Sequence, residues 1–320
     1  MKRFFVLTAL FLTLALAHST FGASFKKVNL ERLTREFLTL CKTGSAQEIT
    51  AALQAGANAN MKDSDGITAL MWCARYNTPE AVEVLLNVGA NVNAMDRDRS
   101  TPLIWSTGNK ADKTVLGVLL RAGANPNAKD RNGTTVLMHA AERMSSEAIW
   151  LLLGAGAFLE ARNYFGKTVL MYAARYNSPQ VIDALIEAGA EDKKDKNGYT
   201  ALVYAAEYNS PEAVNVLLDA GADPYVGGSL ALDRSRYNHN FDKTDTLLRL
   251  KALTTSNFLE LCREGQAEYI TRLLAAGANP NVKDSHSITA LMQAAMYNTP
   301  EAVDALLESG ADVNARDTGG

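Results

Sequence analysis

Val82, Leu85 and Leu86 recur at i, i+3 and i+4, the apolar stripe of a short amphipathic helix. The stretch that carries them opens Thr78-Pro79-Glu80: a hydroxyl for the N-cap, proline at the first helical position, and an acid near the positive end of the dipole. Gly89 closes it. Just upstream, Thr68 caps a second apolar run, Ala69-Leu70-Met71-Trp72-Cys73-Ala74, which stops at Tyr76-Asn77. Asparagine tolerates the left-handed conformation that ends helices, so the pattern predicts a left-handed stop at Asn77. Ahead of both helices, Asp63-Ser64-Asp65-Gly66 reads as a turn whose glycine is free to take positive φ. The pattern thus predicts a turn and two short helices between Asp63 and Asp96.

This unit repeats. A Gly-Ala pair begins at Gly56, Gly89, Gly123, Gly156, Gly189, Gly221, Gly277 and Gly310, in steps of 33, 34, 33, 33, 32, 56 and 33 residues. First helices start at Thr101-Pro102-Leu103, Thr135-Val136-Leu137, Thr168-Val169-Leu170, Thr200-Ala201-Leu202 and Thr289-Ala290-Leu291. Interhelical turns recur as Asn177-Ser178-Pro179, Asn209-Ser210-Pro211 and Asn298-Thr299-Pro300. A unit of this length cannot bury its apolar face alone and must stack on copies of itself. Leu85, Leu86, Leu119, Leu152 and Leu217 are the expected core. The fold class is all-α, a solenoid of about nine helix–turn–helix units with projecting turns.

Two helices and a projecting turn per unit, closing on Gly-Ala-Asn/Asp-x-Asn-Ala, resemble the ankyrin repeat. The resemblance covers nearly all of the chain after residue 23. Several positions depart from the family pattern. The histidine usual after Thr-Pro-Leu is replaced by Met71, Ile104, Met138, Met171, Val203 and Met292, which implies an apolar contact where the family has a polar one. Arg99 and Ser287 stand where the turn glycine belongs, so those two tips are expected to be distorted. The third unit carries one extra residue near Gly108-Asn109-Lys110.

Three segments organise the chain. Residues 1–23 have the layout of a secretory signal peptide: Lys2 and Arg3, an apolar run from Phe4 to Ala17, then small residues. The run is too short to span a bilayer comfortably, so no stable membrane insertion is expected after cleavage. Residues 30–253 form a first repeat block, with cap-like units at 30–57 and 229–253. Residues 254–320 form a second block. Phe258 to Gly265 parallels Phe37 to Gly44 at an offset of 221, and the last unit reads as incomplete. The expected location is exported, periplasmic or secreted in a bacterium.

Charge and chemistry narrow the function. The net charge is −3, which offers no strongly basic nucleic-acid surface. Cys41, Cys73 and Cys262 lie in apolar helical stretches and read as small buried side chains. No histidine has a Cys or His at metal-ligand spacing. No Gly-x-Ser-x-Gly or phosphate-cradling loop is present, and the recurrent aspartates sit where an Asx side chain caps its own turn. The chain therefore reads as non-catalytic, without metal or cofactor.

The resemblance implies that a partner protein docks on a concave face, made of turn tips and the exposed sides of first helices. Tyr164, Phe165 and Tyr199 lie at turn tips and do not repeat, so they stand out as anchors, with Arg175 and Tyr176 beside them. Arg75, Tyr76, Arg143 and Tyr208 end first helices, and Trp105 lies one step back. Tyr76, Tyr176, Tyr208 and Tyr297 share one repeat position; that regularity favours a structural reading, each ring lying over its neighbour's backbone. Two other readings stand beside the scaffold: a self-assembling array joined through the C-terminal face, and the binding part of a larger enzyme or toxin.

Overall fold

The computed structural model describes residues 23–108, 113–224, 230–235, 237–241, 246–247, 250, 255–275 and 278–319. The signal-peptide expectation falls almost wholly outside these residues. So do the extra residue at 109–110, the block boundary at 254, and part of the cap-like unit expected over 229–253. Among the described residues the chain is helical, without strands. The helices come in pairs: α1 (Ala23–Thr43) and α2 (Ala46–Gln54), α3 (Ala69–Tyr76) and α4 (Pro79–Asn87), α5 (Pro102–Ser106) and α6 (Lys113–Arg121). The series continues with α7 (Val136–Arg143) and α8 (Ser146–Gly154), α9 (Val169–Tyr176) and α10 (Pro179–Glu187), α11 (Ala201–Tyr208) and α12 (Pro211–Asp219). Then come α13 (Leu230–Ser235), α14 (Thr255–Glu264) and α15 (Ala267–Ala275), and α16 (Ala290–Tyr297) and α17 (Pro300–Glu308).

Packing divides the chain into two compact units. One holds Met1–Tyr172 with Glu187–Ala190, the other Ala173–Ile186 with Glu191–Gly320. In the first unit α1, α3, α5 and α7 pack side by side as one row, and α2, α4, α6 and α8 as a second. In the second unit α11 packs on α13, α14 on α16, and α15 on α17. Each row shields the apolar stripe of the other. Leu85, Leu119, Leu152 and Leu217 are buried as the periodicity requires, and Leu86 is half-buried. All three cysteines are free and buried, and burial pushes the Cys262 thiol up to about 12.

First helices start as the sequence indicates. The hydroxyls of Thr68, Thr135 and Thr289 accept from the N–H groups of Met71, Met138 and Met292 at 3.3, 3.2 and 3.2 Å. The methionines are not merely apolar fillers, however. The N–H of Thr68 points at the Met71 sulfur at 3.3 Å, and Thr168 and Thr289 repeat the contact with Met171 and Met292 at 3.4 and 3.5 Å. The polarisable thioether is a weak acceptor, so part of the reciprocal cap survives the loss of histidine.

Two further expectations are corrected. Asn77, Asn209 and Asn298 end their helices at φ of −115°, −113° and −117°, in extended backbone rather than left-handed. Each sends its side-chain amide backward instead. Asn77 Nδ2 donates to the carbonyls of Cys41 and Gly44 at 2.9 and 2.8 Å, closing the end of the preceding first helix. Asn209 does the same to Ala174 and Asn177, and Asn298 to Cys262 and Gly265. The tips at Arg99 and Ser287 are not distorted either. Both residues adopt φ of 62° and keep the turn hydrogen bond, Arg99 to Asp96 at 3.0 Å and Ser287 to Asp284 at 3.1 Å.

Candidate partner-binding surface

The projecting tips are built by one side chain each. Asp63 Oδ1 accepts from the N–H groups of Asp65 and Ile67 at 2.9 and 3.0 Å. Asp96, Asp130, Asn163, Asp195 and Asp284 repeat this two-pronged Asx geometry. Within the first unit the tips are tied to one another. Arg97, Arg131 and Tyr164 donate their N–H groups to the carbonyls of Asp65, Asp98 and Asn132 at 2.9, 2.8 and 3.0 Å. Exposed ion pairs Arg97–Asp65 and Arg131–Asp98 run alongside at 3.0 and 2.9 Å.

The second oxygen of Asp96, Asp130 and Asp195 receives the first helix. Trp105 Nε1 donates to Asp96 at 2.8 Å, and Tyr204 Oη to Asp195 at 2.9 Å. His139 Nε2 lies 3.1 Å from Asp130. Burial works against the Asp130 carboxylate, but the His139 contact and two turn N–H groups outweigh it and hold its pKa below the usual value. Tyr172 continues the series on Asn163, at 3.1 Å. These aromatic and imidazole side chains therefore lock tip to helix, and Trp105 is half-buried rather than presented to a partner.

At the C-terminal ends of first helices, aromatic rings meet cations. In the first unit Trp72 stacks on Tyr76 at 5.8 Å and meets Trp105 edge-on at 5.2 Å. The Arg75 guanidinium lies 5.4 Å from both the Tyr76 and Trp105 rings, and a Cβ at Gly108 would come within 3.1 Å of its side chain. In the second unit Arg175 lies between Tyr176 at 4.8 Å and Tyr208 at 4.2 Å, with Tyr204 beneath at 5.9 Å. Tyr176 and Tyr208 are 51% and 47% exposed, and the buried Nε of Arg175 has no hydrogen-bond partner. Arg263 covers Tyr297 in the same way at 4.9 Å. The recurrent tyrosines thus meet cations, because arginine and lysine recur beside them.

The remaining anchors divide. Tyr164 and Phe165 are exposed, at 65% and 55%, in the first unit. The Tyr164 ring nevertheless has a packing role: a Cβ on Gly133 would approach it to 3.0 Å, so the ring lies close against that glycine of the preceding tip. Tyr199, in the second unit, is half-buried. Its hydroxyl accepts from Arg234, whose guanidinium lies 5.2 Å from the ring and 3.6 Å from Glu207. Arg143 is exposed and turned onto its neighbour Glu142 at 3.0 Å. Of the expected anchors, Arg175, Tyr176 and Tyr208 form one cluster, and Arg75, Tyr76 and Trp105 another.

A second asparagine role escaped the sequence reading. Asn60, the last asparagine of Gly-Ala-Asn-x-Asn, donates to the Gly89 carbonyl at 3.1 Å while its Oδ1 accepts from Asn91 at 2.7 Å. Asn93, Asn127 and Asn281 repeat the bridge. The signal was the recurrence of that asparagine at the repeat period, which its position in a loop disguised as turn propensity.

These stacked pairs, ladders and tips have a known counterpart. Residues 38–130, 109–193, 137–227 and 237–317 match the family model for ankyrin repeats in three copies. The chain belongs to the ankyrin-repeat family. Ankyrin repeats are protein–protein interaction modules, generally without catalysis of their own. A stretch of 48 residues is similar, at 50% identity, to glycerophosphocholine phosphodiesterase gde1 of Schizosaccharomyces pombe. It spans 15% of this chain and 4% of that protein. Among the described residues no cluster of three or more His, Cys, Asp or Glu could hold a metal ion, and no helix is long and apolar enough to cross a membrane.

Proposed function

We propose that this ankyrin-repeat chain is an exported, non-catalytic scaffold that binds a partner protein through the ends of its first helices and the adjoining turn tips. The observation that carries the reading is Arg175, whose guanidinium lies 4.8 and 4.2 Å from two half-exposed tyrosine rings. A guanidinium held against aromatic rings is pre-ordered, so it loses little rotamer entropy when a partner's carboxylate or carbonyl pairs with it. Arginine and tyrosine in a partly desolvated cluster are the composition of interface hot spots. Export rests on Lys2, Arg3 and the apolar run from Phe4 to Ala17. The test is capture from the exported fraction of native cells, comparing the natural chain with Arg175→Ala. The expected result is a specific protein lost from the variant, with binding weakened by at least about 1 kcal/mol and unchanged melting. Recovery of the chain only in the cytosolic fraction, or equal capture by the variant, contradicts the reading.

Self-association is a second reading, favoured by one observation. Met296, Tyr297, Leu307 and Val313, on and just after the last helix pair, are 57%, 60%, 39% and 66% exposed. A light-scattering mass that grows with concentration supports it, and a constant monomer mass removes it.

A further inference from the structure

An open groove of about 780 Å³ lies in the first unit, and Arg175 is not among its lining residues. One wall is α1, through Arg35, Leu38 and Lys42; the other is the first turn tip, through Lys62 and Asp63; Trp72 adds an indole face. Its cations are unspent. Among the described residues no carboxylate pairs with Arg35, Lys42 or Lys62, whereas Arg97 and Arg131 on the following tips are both ion-paired. Asp65 holds Arg97 and Glu36 holds Arg32; Asp63, whose Oδ1 caps its own turn, is the one acid in the lining and leaves the cations in excess. Lys42 is fixed rather than waving, its ammonium 4.6 Å from the Trp72 ring and 4.9 Å from Tyr76. Trp72 also breaks the rule of its series. Trp105, His139 and Tyr204 each contact the aspartate of their own tip, but the Trp72 indole N–H has no hydrogen-bond partner among the described residues.

We propose that this groove binds an acidic peptide segment of a partner protein. Three cations against one acid, and an indole donor without a partner among the described residues, complement carboxylates, on a chain whose overall charge is −3. The half-buried Trp72 adds an apolar face, which an extended peptide carrying one large apolar side chain would cover and a phosphodiester backbone would not. Three cations are also too few for the long phosphate track that nucleic acids use. The inference does not rest on Arg175, and a variant at that residue leaves it untouched.

The test uses the full chain and a labelled synthetic peptide, one phenylalanine flanked by glutamates, followed by fluorescence anisotropy. A glutamine version of the peptide and an oligothymidylate of equal length are the comparison probes. The glutamate peptide is expected to bind, to weaken with salt, and to lose roughly tenfold in affinity when its glutamates become glutamines. Lys42→Glu and Lys62→Glu should each weaken it by a similar factor. Lys283→Glu, at the corresponding position of the last unit, should change it by less than about twofold. Circular dichroism checks that each variant is folded; because Lys42 stacks on two rings, the exposed Lys62 serves as the independent arm. No binding at about 1 mM peptide, equal binding of the glutamine peptide, an unaffected Lys62→Glu, or tighter binding of the oligothymidylate overturns the proposal.

Discussion

Arg99 and Ser287 hold φ of 62°, in turns where Gly66, Gly133, Gly166 and Gly198 occupy the same place. A side chain in the left-handed region crowds the following carbonyl at a cost of roughly 1–2 kcal/mol. The turn persists because the Asx side chain and the backbone bond to Asp96 or Asp284 over-determine it. Replacing Arg99 by glycine relieves that crowding, while the greater freedom of glycine in the unfolded chain offsets part of the gain. Arg99→Gly should therefore raise stability by about 0.5–1 kcal/mol, and Ser287→Gly by a similar amount. Urea midpoints at constant slope measure it; a fall in midpoint would show that the tips prefer their side chains.

At the scale of the helix pair, local grammar was legible and cross-repeat grammar was not. Thr68, Pro79 and the Val82–Leu85 stripe act within their own unit, so sequence spacing alone assigned them correctly. Asn77 was misread because its partners, Cys41 and Gly44, lie one repeat away, and a helix considered alone leaves the amide nothing to do except strain the backbone. Met71 was misread for a related reason: its volume announces packing, while its weak acceptor role shows only once the Thr68 N–H is placed. The candidate site follows the same division. Arg175 and Tyr176 were visible as exposed helix-end residues, but the sandwich with Tyr208 needed the next repeat in position. Even the cap-like unit at 229–253 keeps the rule, since Asn238 donates to the carbonyls of Ala206 and Asn209 at 3.2 and 2.8 Å.

For the molecule as a whole, stability in such an array is close to a sum of repeat terms and nearest-neighbour terms. Asn298 probes one neighbour term directly. Its amide supplies hydrogen bonds to two carbonyls at the end of α14, Cys262 at 3.0 Å and Gly265 at 2.9 Å, and alanine leaves both to find water or go unmet. The expected cost is about 1–3 kcal/mol, concentrated where α14 and α15 meet α16 and α17. Hydrogen exchange distinguishes a local loss from a global one. In Asn298→Ala, protection should fall for amides of α14 to α17 and stay level for those of α1 to α4, because free energy lost at one interface of a linear array lowers the opening barrier of that segment first. A uniform fall across all the helices would mean instead that the chain opens as one cooperative body, and the additive picture of stacked ankyrin repeats would not hold for it.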